Sequence, residues 1–165
     1  MYRRIDDFEE SWARETEATL KIFRALTDRA LAQQVAPGGR SLGRLAWHTA
    51  TSLPEMMKHA NLPLAGPGDD APQPPVEGMV RQYEAWARSV GDEVKRNWTD
   101  DMLPEAIPMY GESWPRGAVL SSLIAHQAHH RGQMTVLMRQ AGLKVPGVYG
   151  PSREEWAAFD MPPQE

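Results

Sequence analysis

The sequence predicts an all-α protein built as a four-helix bundle. Three observations carry that prediction. Apolar residues recur at spacings of three and four in four separate stretches, the period of one helix face. Strict alternation of apolar and polar residues is missing; the short piece at residues 106–111 could be extended and would give two strands at most. Segments rich in Pro and Gly separate the stretches. At 165 residues the chain has the size of one domain with a sizeable core, so residues 1–165 are expected to form a single unit.

The first helix is expected over residues 2–32, with Ile5, Phe8, Trp12, Thr16, Thr19, Phe23, Leu26 and Ala30 as its stripe. Asp6, Asp7, Glu9 and Glu10 favour its N-terminal end through the helix dipole. The two threonines read as core residues in preference to pocket lining. Pro37-Gly38-Gly39 stops the helix.

Ser41 is the expected N-cap of the second helix, whose stripe is Leu42, Leu45, Ala46, Thr49, Leu53, Met56 and Met57. His48 flanks that stripe. Pro54 cannot donate to the carbonyl of Ala50, so either a kink or a break into two helices is expected there. Residues 61–75, rich in Pro and Gly, read as a surface crossover loop.

The third helix runs from residue 76 to about residue 98 on Met79, Val80, Tyr83, Trp86, Ala87, Val90 and Val94. A second irregular connection covers residues 99–113. Ser113 is the expected cap of the fourth helix, with Pro115 in its first turn. That helix is expected over residues 114–141, on Leu120, Leu123, Gln127, His130, Met134, Leu137 and Ala141, and Gly142 ends it. Ser152 and Glu155 form a capping-box pattern before Trp156 and Phe159, which suggests a short final helix.

Composition narrows the function. The net charge of −4 provides no basic footprint for nucleic acid. No apolar run approaches the roughly 18 residues of a membrane span, and the first residues lack the apolar core of a signal peptide. The absence of cysteine removes thiolate nucleophiles and Cys-based zinc sites, and it fits a cytoplasmic protein.

Three of the five histidines fall within Ala125-His126-Gln127-Ala128-His129-His130-Arg131-Gly132-Gln133. His126 and His130 are one turn apart on one helix face, so two imidazoles can reach one divalent metal ion. His48 is the best third ligand, because it flanks the stripe of another helix midway along its length. His59, at a helix end, is a weaker candidate, and His129 points away. Gln127 follows His126, so the glutamate of an H-E-x-x-H metalloprotease is missing. Gln127 and Gln133 can hydrogen-bond to a ligand. Glu55, seven residues after His48, can take a proton from bound water, although a solvated role is the commoner one. Arg131 can hold a carboxylate or pair with a surface acid, the second being favoured. Gly132 suggests a close helix contact.

Two segments then resemble a known family. His126-x-x-His129-His130-Arg131-Gly132-Gln133, followed by Leu137, Arg139 and Gly142, is similar to the fourth-helix signature of the DinB/YfiT-like superfamily. Arg40-Ser41-Leu42-Gly43-x-Leu45-Ala46-Trp47-His48 is similar to its second-helix signature, and Lys144-Val145-Pro146-Gly147-Val148-Tyr149-Gly150 to its tail. The resemblance implies a four-helix bundle with variant up-and-down topology and long crossover loops. It implies a divalent metal, zinc or nickel, held by His48, His126 and His130. It further implies a metal-dependent enzyme transferring a low-molecular-weight thiol, such as bacillithiol or mycothiol, to a small electrophile. A metal-dependent hydrolase and a non-catalytic, stress-related metal-binding bundle are the alternatives. Glu55, Tyr110 and Arg131 are the candidate catalytic residues, with Trp47 a further pocket candidate. The expected partners are the thiol and the electrophile, and a homodimer is expected, with Trp47 outward and available to an interface.

Overall fold

The computed structural model describes residues 1–66 and 71–163. Four helices form its body: α1 (Ile5–Arg24), α2 (Leu42–His59), α3 (Val76–Asn97) and α4 (Arg116–Gln140). A hairpin of β1 (Ala106–Met109) and β2 (Glu112–Pro115) precedes α4. The strands pair antiparallel, Ala106 opposite Pro115 and Met109 opposite Glu112. The apolar stripes point inward, and Phe8, Phe23, Leu42, Leu53, Met57, Tyr83, Leu120 and Leu123 fill the centre of the core.

The helices form a ring in which α1 packs on α3, α3 on α2, α2 on α4 and α4 on α1. Consecutive helices α1 and α2 are therefore diagonal, as are α3 and α4. A plain up-and-down bundle would make them neighbours. The connections at residues 25–41 and 98–115 span the diagonals, while the loop at residues 60–75 joins neighbours. Residues 67–70 of that loop lie outside the described residues.

The first helix ends eight residues before its expected limit. After Arg24 the chain turns, and residues Asp28–Ala32 form a separate 3-10 helix. Asp28 explains the break. Short polar side chains compete with the helix backbone for hydrogen bonds, and the Asp28 carboxylate instead accepts from the backbone N–H of Val76 at 2.8 Å, at the start of α3. Asp100 does the same for α1, accepting from the Ile5 N–H at 2.8 Å. Neither helix has a cap from its own N-cap side chain. Each diagonal connection thus supplies the missing cap of a helix distant in sequence.

Ser41 caps α2 as expected, its hydroxyl accepting from Arg44 N–H at 3.1 Å. The helix continues through Pro54 to His59, so the two-helix alternative does not hold. Ser113 does not cap α4; it sits in β2 opposite Pro108, and Pro115 takes the N-cap position. Trp47 is buried, which removes it as an outward interface residue. Its indole N–H donates to Ala71 C=O at 2.9 Å, and its ring lies 5.8 Å from that of Trp86. Trp86 in turn donates to Ala65 C=O at 2.7 Å. These two bonds lay the described parts of the loop along α2 and α3.

Gly142 ends α4 in the left-handed conformation, φ +75. The bonds from Gly142 N–H to Arg139 C=O at 3.0 Å and from Leu143 N–H to Met138 C=O at 2.9 Å form a Schellman closure. In the tail, residues Trp156–Phe159 form a 3-10 helix. The Glu155 carboxylate accepts from Ser152 N–H and Gly147 N–H, each at 2.9 Å. Gly132 has no helix contact to explain it, since a Cβ there would meet nothing within 4 Å.

Candidate metal centre

The ring of helices makes α2 and α4 neighbours, and that contact assembles the site. Gln127 fixes the two helices in register. It is fully buried, and its side-chain amide donates to Thr49 C=O at 3.0 Å and to Ser52 Oγ at 3.3 Å. Thr49 directly follows His48, and Gln127 directly follows His126. The bond that joins the helices therefore stands beside the histidines it brings together.

His48, His126 and His130 each offer one ring nitrogen, and these atoms lie within 4.8 Å of one another. The ring centroids are 5.2 Å apart for His48 and His126, 4.8 Å for His48 and His130, and 4.4 Å for His126 and His130. His126 Nε2 and His130 Nε2 are 3.1 Å apart. Nitrogens bound about 2.05 Å from a tetrahedral zinc stand roughly 3.3 Å apart. The donor set and its spacing fit a divalent transition metal held by three neutral imidazoles.

Two features prepare His130. Its Nδ1 lies 2.7 Å from the Gln133 side-chain oxygen. An amide oxygen only accepts, so Nδ1 carries the proton and Nε2 turns its lone pair toward the other rings. Burial also lowers the His130 pKa below its ordinary value, against the opposing effect of the Gln133 hydrogen bond. The neutral form that a metal requires is thereby favoured. Gln133 is three residues after His130, so helical spacing alone identifies it as a neighbour; its orienting role needs the geometry.

A pocket of about 340 Å³ opens beside the histidines. It is lined by His48, Ser52, Glu55, Met56, Tyr110, Trp114, Ser122 and His126. Of the candidate catalytic residues, Glu55 and Tyr110 reach it. Ser52 and Ser122 were legible as one-turn neighbours of His48 and His126. Trp114 was not, because the hairpin brings it in.

Arg131, His59 and His129 lie elsewhere. Arg131 is not a surface residue; it is 2% exposed and faces α1, because one step along a helix turns the side chain by about 100°. It donates to Glu15 C=O at 3.2 Å and to Thr19 Oγ at 2.8 Å, and it pairs with the Glu15 carboxylate and the Tyr149 hydroxyl. Thr19 is thus the core threonine expected of it. His59 pairs with Glu55 at 3.2 Å and stays outside the ligand cluster. His129 is exposed, with its ring 5.0 Å from that of His130.

Comparison with known proteins agrees with this architecture. The model of the DinB family matches residues 1–165. The chain is 42% identical over 162 residues to "Uncharacterized protein YrdA" of Bacillus subtilis (strain 168), covering 98% of this chain and 97% of that protein. A crystal structure of a DinB-like protein from Bacillus cereus ATCC 10987 superposes with a TM-score of 0.86 at 43% identity, over 90% of this chain and 100% of that one. A DinB-like protein from Bacillus subtilis shares the fold at 14% identity, with a TM-score of 0.65 over 86% of this chain and 97% of that one. On a match that spans every residue, the chain belongs to the DinB family.

Proposed function

We propose that the protein is a divalent-metal-dependent enzyme that transfers a low-molecular-weight thiol to a small electrophile. The observation that carries this reading is the convergence of three histidine nitrogens within 4.8 Å at the side of an open pocket. His48, His126 and His130 would hold the ion, zinc or nickel by the donor set. When bound, such an ion supplies Lewis acidity and lowers the pKa of a thiol or water placed beside it. The chain has no cysteine, so the thiol is a cosubstrate. Burial keeps His130 neutral, and Gln133 orients it. Met56 and Trp114 provide apolar wall for an organic substrate, while Ser122 offers a hydroxyl to orient it.

The hydrolytic alternative draws on the carboxylate of Glu55 in the same pocket. A panel of thiols, each with a reactive electrophile, separates the two using protein loaded with zinc or nickel. Loss of electrophile that needs both thiol and metal supports transfer. Turnover without thiol indicates hydrolysis, and no turnover under either condition leaves a bundle that binds metal without catalysis.

A further inference from the structure

The turn between β1 and β2 places a tyrosine where the backbone disfavours one. Met109 pairs with Glu112, which leaves Tyr110 and Gly111 as a two-residue turn. Both have positive φ, +52 at Tyr110 and +83 at Gly111. Asn-Gly or Gly-Gly normally fills that pattern, because a Cβ is strained at the first position. Such strain persists where surrounding contacts enforce it, and here they are specific. The Tyr110 hydroxyl donates to Glu55 Oε2 at 2.7 Å. The other oxygen, Glu55 Oε1, lies 3.2 Å from His59 Nε2. The rings of Tyr110 and His59 are 4.7 Å apart.

Helix geometry sets up this chain. His48, Glu55 and His59 follow one another along α2 at steps of seven and four, so they share a side of the helix. The row begins at the candidate metal ligand and ends at an exposed imidazole. Tyr110 comes from the hairpin, meets the row at Glu55 and His59, and lines the pocket. Its O–H is directed at Glu55, so toward a ligand in the pocket its oxygen presents a lone pair and acts as an acceptor.

We propose that Tyr110, Glu55 and His59 form a proton path that deprotonates the nucleophile in the pocket, with Tyr110 as the residue that touches it. This rests on the reading above, which requires a thiol to react as its thiolate. The thiol S–H bond breaks and its proton passes to the Tyr110 oxygen. Tyr110 gives its own proton to Glu55 Oε2, and the carboxyl group then turns about its Cγ–Cδ bond to hand that same proton to His59 Nε2. Sulfur keeps the bonding electron pair, Tyr110 and Glu55 return to their starting forms, and the imidazolium of His59 releases its proton to solvent. The direction of the Tyr110 hydrogen bond matches this outward flow.

The test is proton release in stopped flow, read with a pH indicator, when zinc-loaded protein is mixed with 2-mercaptoethanol. Tyr110→Phe and Glu55→Gln are each expected to slow release at least tenfold, with zinc content and total protons unchanged. The double variant should be no slower than the slower single variant, because both residues serve one path. A bulky buffer base should restore the rate in Glu55→Ala, which a structural role would not allow. Rates within twofold of the parent in both single variants would overturn the proposal, as would full additivity or no rescue. A parent protein that holds zinc but releases no proton with any thiol would instead refute the thiol-transfer reading, and this path with it.

Discussion

Gln133 fixes which nitrogen of His130 bears the proton, and burial holds that ring neutral. Removing such a partner typically weakens metal binding 10–100-fold. Gln133→Ala is therefore expected to lower zinc affinity by about that factor in a competitive chelator titration, with the fold unchanged by circular dichroism. An affinity equal to the parent's would show that Gln133 does not set the tautomer. Arg131, the next residue along from His130, has a different task. Its guanidinium is buried against Glu15, Thr19 and Tyr149, on the α1 side of α4. Truncation to Ala would leave the Glu15 carboxylate at a largely buried position without its cation, at a cost of about 3 kcal/mol. Urea denaturation of Arg131→Ala should show that loss while zinc stoichiometry stays at the parent's value. A stable variant that no longer binds zinc would return Arg131 to the site.

The helices depend on distant caps as much as on their own stripes. Asp28 caps α3 and Asp100 caps α1, so Asp28→Ala and Asp100→Ala should each cost about 1 kcal/mol in chemical denaturation. A loss below about 0.3 kcal/mol in both would contradict the capping account. Periodicity in the sequence identified all four helices, because burial of one face leaves a record every three to four residues. It did not reveal where α1 stops, since Leu26 in the turn and Ala30 in the 3-10 segment continue the pattern and are also buried. The contact that holds Asp28 outside the helix is made to a residue 48 positions away. The C-terminal tail adds a pH response. Arg139 holds the Glu154 pKa down to about 2, and the N–H groups of Gly147 and Ser152 lower that of Glu155. Carboxylates depressed in the folded state contribute stability above their unfolded pKa of about 4.3, and that contribution is lost as pH falls through the folded values. Tail amides should accordingly lose hydrogen-exchange protection between about pH 4.3 and pH 2, relative to core amides, after correction for intrinsic exchange rates. Unchanged relative protection across that window would show that the two glutamates do not hold the tail.

The bundle as a whole makes the site, because His48 and the His126–His130 pair meet only once α2 and α4 become neighbours. The sequence identified all three histidines, two by a one-turn spacing and the third by its place beside a stripe. The pocket around them was less legible. Tyr110 and Trp114 arrive on a hairpin whose packing against α2 is non-local, and local spacing does not show which way that hairpin folds. Arg131 and Trp47 were misplaced for a similar reason: each is buried by a partner element that periodicity within one helix does not identify. The same assembly makes a sharp distinction between histidines that are close in sequence. His129 adjoins His130 but is exposed, while His48, 78 residues before His126, completes the cluster. The decisive measurement is therefore zinc and nickel binding by untagged protein, with His48→Ala and His129→Ala in parallel, by elemental analysis and chelator competition. The account predicts about one ion per chain in the parent, at least a 100-fold loss of affinity in His48→Ala, and a change within about threefold in His129→Ala. Less than a tenth of an equivalent in the parent with none taken up on addition, or equal losses in the two variants, would contradict it.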